Sequence, residues 1–239
     1  MTTNEHDAAR SNVSATELPF ETQQLRAALS GFLDQIYTLP DRKKIRLGAV
    51  VWGVYAFFDY DGEPIYVGQT KERIGTRIRR HLTNQRTDAV AMNVLDPFEV
   101  HSITVWPLPE FQSERTSNAT AKAHLNALEH AVFRQLLKQS EFNAVLNEKN
   151  PPEPTVNIQM PASISGSIVS KEVSRLRDHP DLRIAHRAAT LAKLAQVISE
   201  RKVQKGLRHT LLAQAQRLQA LAQRRYDHAA DMPEDSGDE

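Results

Sequence analysis

The chain has 239 residues, enough for one medium domain with an appendage or for two small ones, and its 40% hydrophobic and 25% charged residues exclude wholesale disorder. It has no cysteine, so disulfides, thiolate metal sites and a thiol nucleophile are excluded, and any metal must sit on oxygen or imidazole. No apolar run reaches the roughly 20 residues of a spanning helix, and an N-terminus carrying Glu5, His6 and Asp7 lacks a basic-then-apolar signal, so a cytoplasmic protein without a membrane partner is expected.

A net charge of +1 hides a segregated distribution. Residues 171–225 carry thirteen Lys or Arg against four acids, whereas 227–239 carries six acids and no base. A basic segment followed by an acidic tail suits a polyanion partner as well as it suits a solvated helical face.

In chain order, residues 1–17 are polar and aperiodic and read as a disordered leader. Leu25, Ala28, Leu29, Phe32, Leu33 and Ile36 fall at helical spacing over 20–37, and Pro40 ends that helix. A basic linker, 41–46, leads into the Val-, Tyr- and Phe-rich run 49–58, which reads as a buried strand. Asp61-Gly62 signals a turn, 64–69 supplies a second strand, and 70–82 reads as helical, with Gly75 marking the end of a loop. A third strand is expected over 98–106. A long helix follows at 119–139, with Leu125, Leu128, Val132, Phe133 and Leu136 as its packing stripe.

Pro151, Pro152 and Pro154 mark a domain boundary. Beyond it, 157–170 shows no clear pattern. Leu191, Leu194 and Ile198, then Leu207, Leu211, Leu218 and Leu221, fit two helices forming a hairpin or a coiled-coil seam. The expected organisation is a leader at 1–17, a helix and basic linker at 18–48, a catalytic unit at 49–154, a basic helical region at 155–226 and an acidic tail at 227–239. The expected class is α/β: a small three-stranded, mostly antiparallel sheet flanked by helices, followed by an α-helical C-terminal arm.

With Asp61-Gly62 centring the turn, Tyr55 stands opposite Gly68 and Phe57 opposite Tyr66. Both tyrosines then leave the same sheet face as diagonal neighbours, and Gly68 leaves room beside Tyr55. An ordinary cross-strand aromatic pair would look the same. Arg77 and His81, four apart on a helix, share a face amid Lys71, Arg73, Arg79, Arg80 and Arg86, a self-repelling cluster unless phosphates lie nearby. Glu129 sits at the border of the long helix's apolar stripe, where a carboxylate pairs with a base such as Arg77 or binds Mg²⁺.

Gly53-Val54-Tyr55, Tyr66-Val67-Gly68-Gln69-Thr70, Arg77 to Leu82, Leu128-Glu129 and Phe142-Asn143 resemble, in order and spacing, the motifs of GIY-YIG nucleases. The similarity covers about a hundred residues, the size of a catalytic module. It implies a Mg²⁺- or Mn²⁺-dependent endonuclease acting on single- or double-stranded DNA and leaving 5′-phosphate and 3′-hydroxyl ends. By position, Tyr55 resembles the tyrosine that helps deprotonate the attacking water and Tyr66 the second site tyrosine. Arg77 resembles the phosphate-gripping arginine, Glu129 the metal ligand, and His81 a phosphate or proton-transfer residue. Asn143 resembles the late asparagine that orients the site, with Asn147 as a second assignment. The same likeness sets Gln69, Lys71, Arg73, Arg79 and Arg80 against nucleic acid. Val replaces Ile in both short motifs, and one extra residue separates Gly68 from Arg77. Two other readings are a binding module of this fold without cleavage and a coiled-coil interaction protein, with a homodimer through the C-terminal helices. Trp52, Tyr60 and Trp106 would stack bases or pack in a core, and the remaining histidines read as surface residues.

Overall fold

The computed structural model of the chain describes residues 20–82, 95–147, 150–200 and 205–230. The leader at 1–17, Arg86 and residues 231–239 of the acidic tail lie outside them.

A helix, α1 (Phe20–Leu33), leads into a short antiparallel ribbon of β1 (Ile36–Thr38) and β2 (Lys44–Arg46), where the sequence reading had a continued helix and a linker. Next come β3 (Gly53–Phe58), β4 (Pro64–Thr70), α2 (Ile74–Leu82), β5 (Ser102–Pro107) and α3 (Ala119–Gln139). The C-terminal part adds β6 (Ile164–Ser167), α4 (Lys171–Arg177), α5 (Pro180–Glu200) and α6 (Lys205–Ala230). The main sheet therefore has four strands rather than three, in the order β4-β3-β5-β6, with every pairing antiparallel. The strand that sequence patterning missed is β6. It is four residues of Ile, Ser and Gly, too short and polar to show a period. Its Gly166 is needed because a Cβ there would lie 2.7 Å from the Phe32 ring of α1.

Alternation along β3 builds two cores. Val54 and Ala56 face Leu125, Leu128, Val132, Phe133 and Leu136 of α3, and Trp52 and Trp106 are packed into this same layer. Tyr55 and Phe57 face the opposite side, among α1, α2 and the C-terminal helices. Helix α3 begins where Asn118 caps it, its side chain accepting the Ala121 N–H, so its boundaries coincide with the expected ones. Helix α2 starts later than its pattern implied. Gly75 lies against the 310 turn at Leu47–Ala49, where an added Cβ would sit 3.0 Å from the Gly48 carbonyl oxygen.

Helices α5 and α6 pair with each other within the chain, burying Leu194, Ile198, Leu207, Ala213 and Leu221. Part of their basic character is used inside the chain. Arg183 bonds Asp61 (2.6 Å), Arg187 bonds both Asp59 (2.9 Å) and Glu99 (2.8 Å), and Arg217 bonds Asp59. Arg177 meets Glu21 of α1 (2.9 Å), Arg224 meets Asp61 and Arg225 meets Asp181. Six of the thirteen basic residues in this segment are thus engaged inside the molecule. No helix among the described residues is long and apolar enough to cross a membrane.

Candidate active site

The turn between β3 and β4 sets the site. Asp59 accepts the N–H groups of Asp61 and Glu63, Gly62 takes φ 78°, and the register that follows pairs Tyr55 with Gly68 and Phe57 with Tyr66. Tyr55 and Tyr66 are consequently diagonal neighbours on one face, ring centroids 6.2 Å apart. Gly68 lies beneath both rings: a Cβ there would come within 2.7 Å of the Tyr55 hydroxyl and of Tyr66 Cε1. The Tyr55 ring has no room to yield, because it is fully buried. Gly68→Ala should therefore misplace both phenols, lowering single-turnover cleavage about a hundredfold and costing about 1–3 kcal/mol in urea unfolding.

Helix α2 supplies the cations. His81 is buried with its Nε2 2.8 Å from the Tyr55 hydroxyl, and its ring lies 5.2 Å from that of Tyr66. One turn earlier, half-buried Arg77 lies beside Tyr55 and acts on it electrostatically. A guanidinium only donates, so toward Arg77 the Tyr55 oxygen can only accept, and its own proton goes to His81 Nε2 when the imidazole carries its proton on Nδ1. Burial works against the Arg77 charge, but Tyr55, then Tyr66 and Glu72, outweigh it and hold its pKa above the ordinary value. The Arg77 Nε is buried without a hydrogen-bond partner among the described residues.

Glu129 arrives from the other face of the sheet. β4 is an edge strand, and three of its outward polar groups are answered by a later segment: Ile65 C=O accepts from Leu146 N–H (2.8 Å), and the Asn147 amide bonds both Val67 N–H (3.0 Å) and Val67 C=O (2.8 Å). The Gln69 backbone N–H acts on Glu129. The carboxylate thus lies at the rim where the two faces meet. Burial pushes its pKa up to about 7, against the opposing pull of Arg77 and of the Gln69 N–H. Tyr55, Tyr66, Arg77, His81 and Glu129 thus converge around one edge of the sheet.

Asn143 and Asn147 separate here. Asn143 is exposed in the turn after α3 with φ 48°, a left-handed conformation, while Asn147 holds the strand between Tyr66 and Gly68. Asn147→Ala leaves two groups of the strand unanswered and should cost about 1–3 kcal/mol. Asn143→Gly, which relieves the left-handed turn, should not lower stability; paired urea titrations check both.

Of the residues expected to meet nucleic acid, Lys71, Arg73 and Arg79 are exposed, Arg80 pairs with Glu72 (2.7 Å) and Arg79 reaches Ser30. Gln69 bonds Asn126 of α3, 3.1 Å away. A cleft of about 520 Å³ opens beside Arg77, lined also by Gln69, Lys71, Thr116, Lys122 and Asn126. Sequence reasoning overlooked Lys122 and Asn126, although their spacing of seven and three residues before Glu129 places all three on one helical face. Among the described residues no cluster of three or more His, Asp or Glu offers a many-liganded metal site.

Residues 51–115 match the family model of the GIY-YIG catalytic domain. The matched span holds Tyr55, Tyr66, Arg77 and His81 and ends before Glu129. Comparison with curated proteins and with solved structures returned no match.

Proposed function

We propose that the chain is a divalent-metal-dependent endodeoxyribonuclease whose site is Tyr55, Tyr66, Arg77, His81 and Glu129. The observation that carries this is the meeting, at one sheet edge, of a buried tyrosine–histidine–arginine network with a carboxylate in a half-buried position. Glu129 fits a hydrated Mg²⁺ or Mn²⁺: burial has raised its pKa to about 7, Arg77 acts on it through space, and a single protein carboxylate beside an open cleft leaves positions for water and phosphate. Such an ion, when bound, supplies charge stabilisation at the phosphate and a more acidic water.

The protein's own groups account for the rest. Arg77, with one buried N–H unsatisfied, is placed to grip a non-bridging phosphate oxygen and offset the charge that develops as water attacks in line. Tyr55 has no exposed surface, with His81 bonded to its hydroxyl and Arg77 beside it. As Arg77 turns to the phosphate it releases the phenol, which takes the proton of the attacking water while its own passes to His81 Nε2. Tyr66, half-exposed above Gly68, walls the site against the substrate backbone. The exposed Lys71, Arg73 and Arg79 supply sequence-independent attraction for the strand.

Incubation with circular duplex DNA, circular single-stranded DNA and RNA, each with Mg²⁺, Mn²⁺ or EDTA, tests this reading. Nicked or linear DNA whose ends carry 5′-phosphate and ligate directly is the expected result. Intact DNA under every metal condition would leave only a binding role for the fold.

A further inference from the structure

The cleft beside Arg77 has a composition that phosphate gripping alone does not explain. Two amide side chains, Gln69 from the end of β4 and Asn126 from α3, face each other across it, joined by one 3.1 Å hydrogen bond. Neither amide has another partner among the described residues. Leu125, almost wholly buried, contributes an apolar floor, and the exposed side chains of Lys71 and Lys122 flank the opening. At about 520 Å³ the volume lies within the range of roughly 300–1,000 Å³ that small-molecule sites occupy. The cleft adjoins the candidate active site through two of its lining residues: Arg77 lies beside Tyr55, and the backbone N–H of Gln69 acts on Glu129.

We propose that this cleft receives one unstacked nucleotide of the DNA strand, adjoining the phosphate that is cut, and that the Gln69–Asn126 pair reads its base. The inference rests on the nuclease reading above and adds a specificity determinant to it. An amide offers an oxygen acceptor and an NH₂ donor, and the shared bond consumes one acceptor and one hydrogen. Besides the second N–H of Gln69 and the second lone pair of the Asn126 oxygen, this leaves the two wholly unused ends as a neighbouring pair: the Asn126 NH₂ beside the Gln69 oxygen, or the mirrored arrangement if both amides are turned.

Adenine and cytosine present an amino donor next to a ring-nitrogen acceptor. Guanine and thymine present a keto acceptor next to a ring N–H donor, the same two places with the roles exchanged. In one fixed pose a donor–acceptor pair therefore accepts one class and rejects the other, and rejection leaves like groups facing each other in a partly desolvated site. Reading that edge requires an unpaired base, and a cleft with a leucine floor suits the apolar face of such a base. Lys71 and Lys122 meet the flanking phosphates and carry no base information.

The test uses a random-sequence single-stranded DNA pool in two arms. In the first, wild-type protein cleaves the pool with Mg²⁺ and the product ends are sequenced. In the second, the full-length Glu129→Gln protein selects bound molecules from the same pool. We expect amino-bearing bases to be separated from keto-bearing bases by about tenfold at a single position next to the cut, and the same bias in the bound pool. Asn126→Ala should erase it in both arms. Asn126→Asp, which keeps the shape and exchanges the donor for an acceptor, should change the bias rather than erase it; a melting curve for each variant confirms folding. Lys71→Ala with Lys122→Ala should weaken binding on all sequences alike and flatten the logarithmic salt dependence by about 1.4.

Cleavage with no amino–keto bias, or a bias that Asn126→Ala leaves intact, overturns the subsite while the nuclease reading stands. Absence of cleavage overturns the nuclease reading. An Asn126-dependent bias in the bound pool would then keep the subsite, on a binding protein, and an unbiased or empty pool would overturn it too.

Discussion

Glu129→Gln is expected to lower DNA cleavage by about a thousandfold or more, because an interaction supplying several kcal/mol of charge stabilisation at the phosphate goes with the carboxylate. The same change should make the metal-free protein more stable at pH 8. Burial lifts the Glu129 pKa from its ordinary 4.5 to about 7, so between these values the folded chain holds a proton that the unfolded chain has released. Stability therefore falls as pH rises from about 4.5 through about 7 and levels off above it. A shift of this size corresponds to at most about 3 kcal/mol, which glutamine does not incur. Urea unfolding at pH 4 and pH 8 should show variant and wild type alike at the lower pH and the variant ahead at the higher. Added Mg²⁺ should raise the wild type at pH 8 and leave the variant unmoved. A wild type that gains stability between pH 5 and pH 8 relative to the variant would mean that Glu129 is paired rather than waiting for a cation.

The second large effect lies at the other end of the tyrosine hairpin. Asp59 is 1% exposed and serves two masters: one oxygen accepts the turn N–H groups of Asp61 and Glu63, and the other bonds Arg187 and Arg217, with Arg183 at 3.9 Å. Asp59→Ala strands buried guanidiniums without a counter-charge and should cost about 3–5 kcal/mol. Asp59→Asn keeps an oxygen for the turn and removes the charge, so a loss close to that of alanine would assign the cost to the arginines rather than to the turn. The exposed pair Asp181–Arg225 is the control, and Asp181→Ala should cost less than about 1 kcal/mol. Denaturant titrations of the three variants decide this. The network fixes the C-terminal helices to the strands that carry Tyr55 and Tyr66, so a basic appendage becomes part of the support of the site.

That support was invisible in the sequence for a simple reason. Arg187 and Arg217 meet Asp59 across 128 and 158 residues of chain, and counting charges among sequence neighbours sees a basic segment with too few acids to match. Asp59 itself reads as an ordinary residue before a turn. The short strands β1, β2 and β6 were missed because three or four residues cannot display a period. The tyrosine hairpin was readable because an Asp-Gly turn fixes the register and the register fixes which faces the phenols share. Helix α3 was readable because its apolar stripe, Leu125 to Leu136, runs about three turns and the helix begins at an asparagine cap.

The site itself was half readable. Spacing placed Arg77 and His81 on one face, but not that His81 would be buried against the Tyr55 hydroxyl. Nor did it show that Asn147 rather than Asn143 would hold the edge of β4, a distinction that depends on which residue of a loop reaches Val67.

The most direct measurement of the central claim is nicking of circular DNA by wild type and by Glu129→Gln at equal, verified folding, with Mg²⁺ and with EDTA. Conversion to nicked or linear DNA only by the wild type, and only with Mg²⁺, is the predicted outcome. Equal cleavage by the two proteins, or cleavage that persists in EDTA, would contradict it.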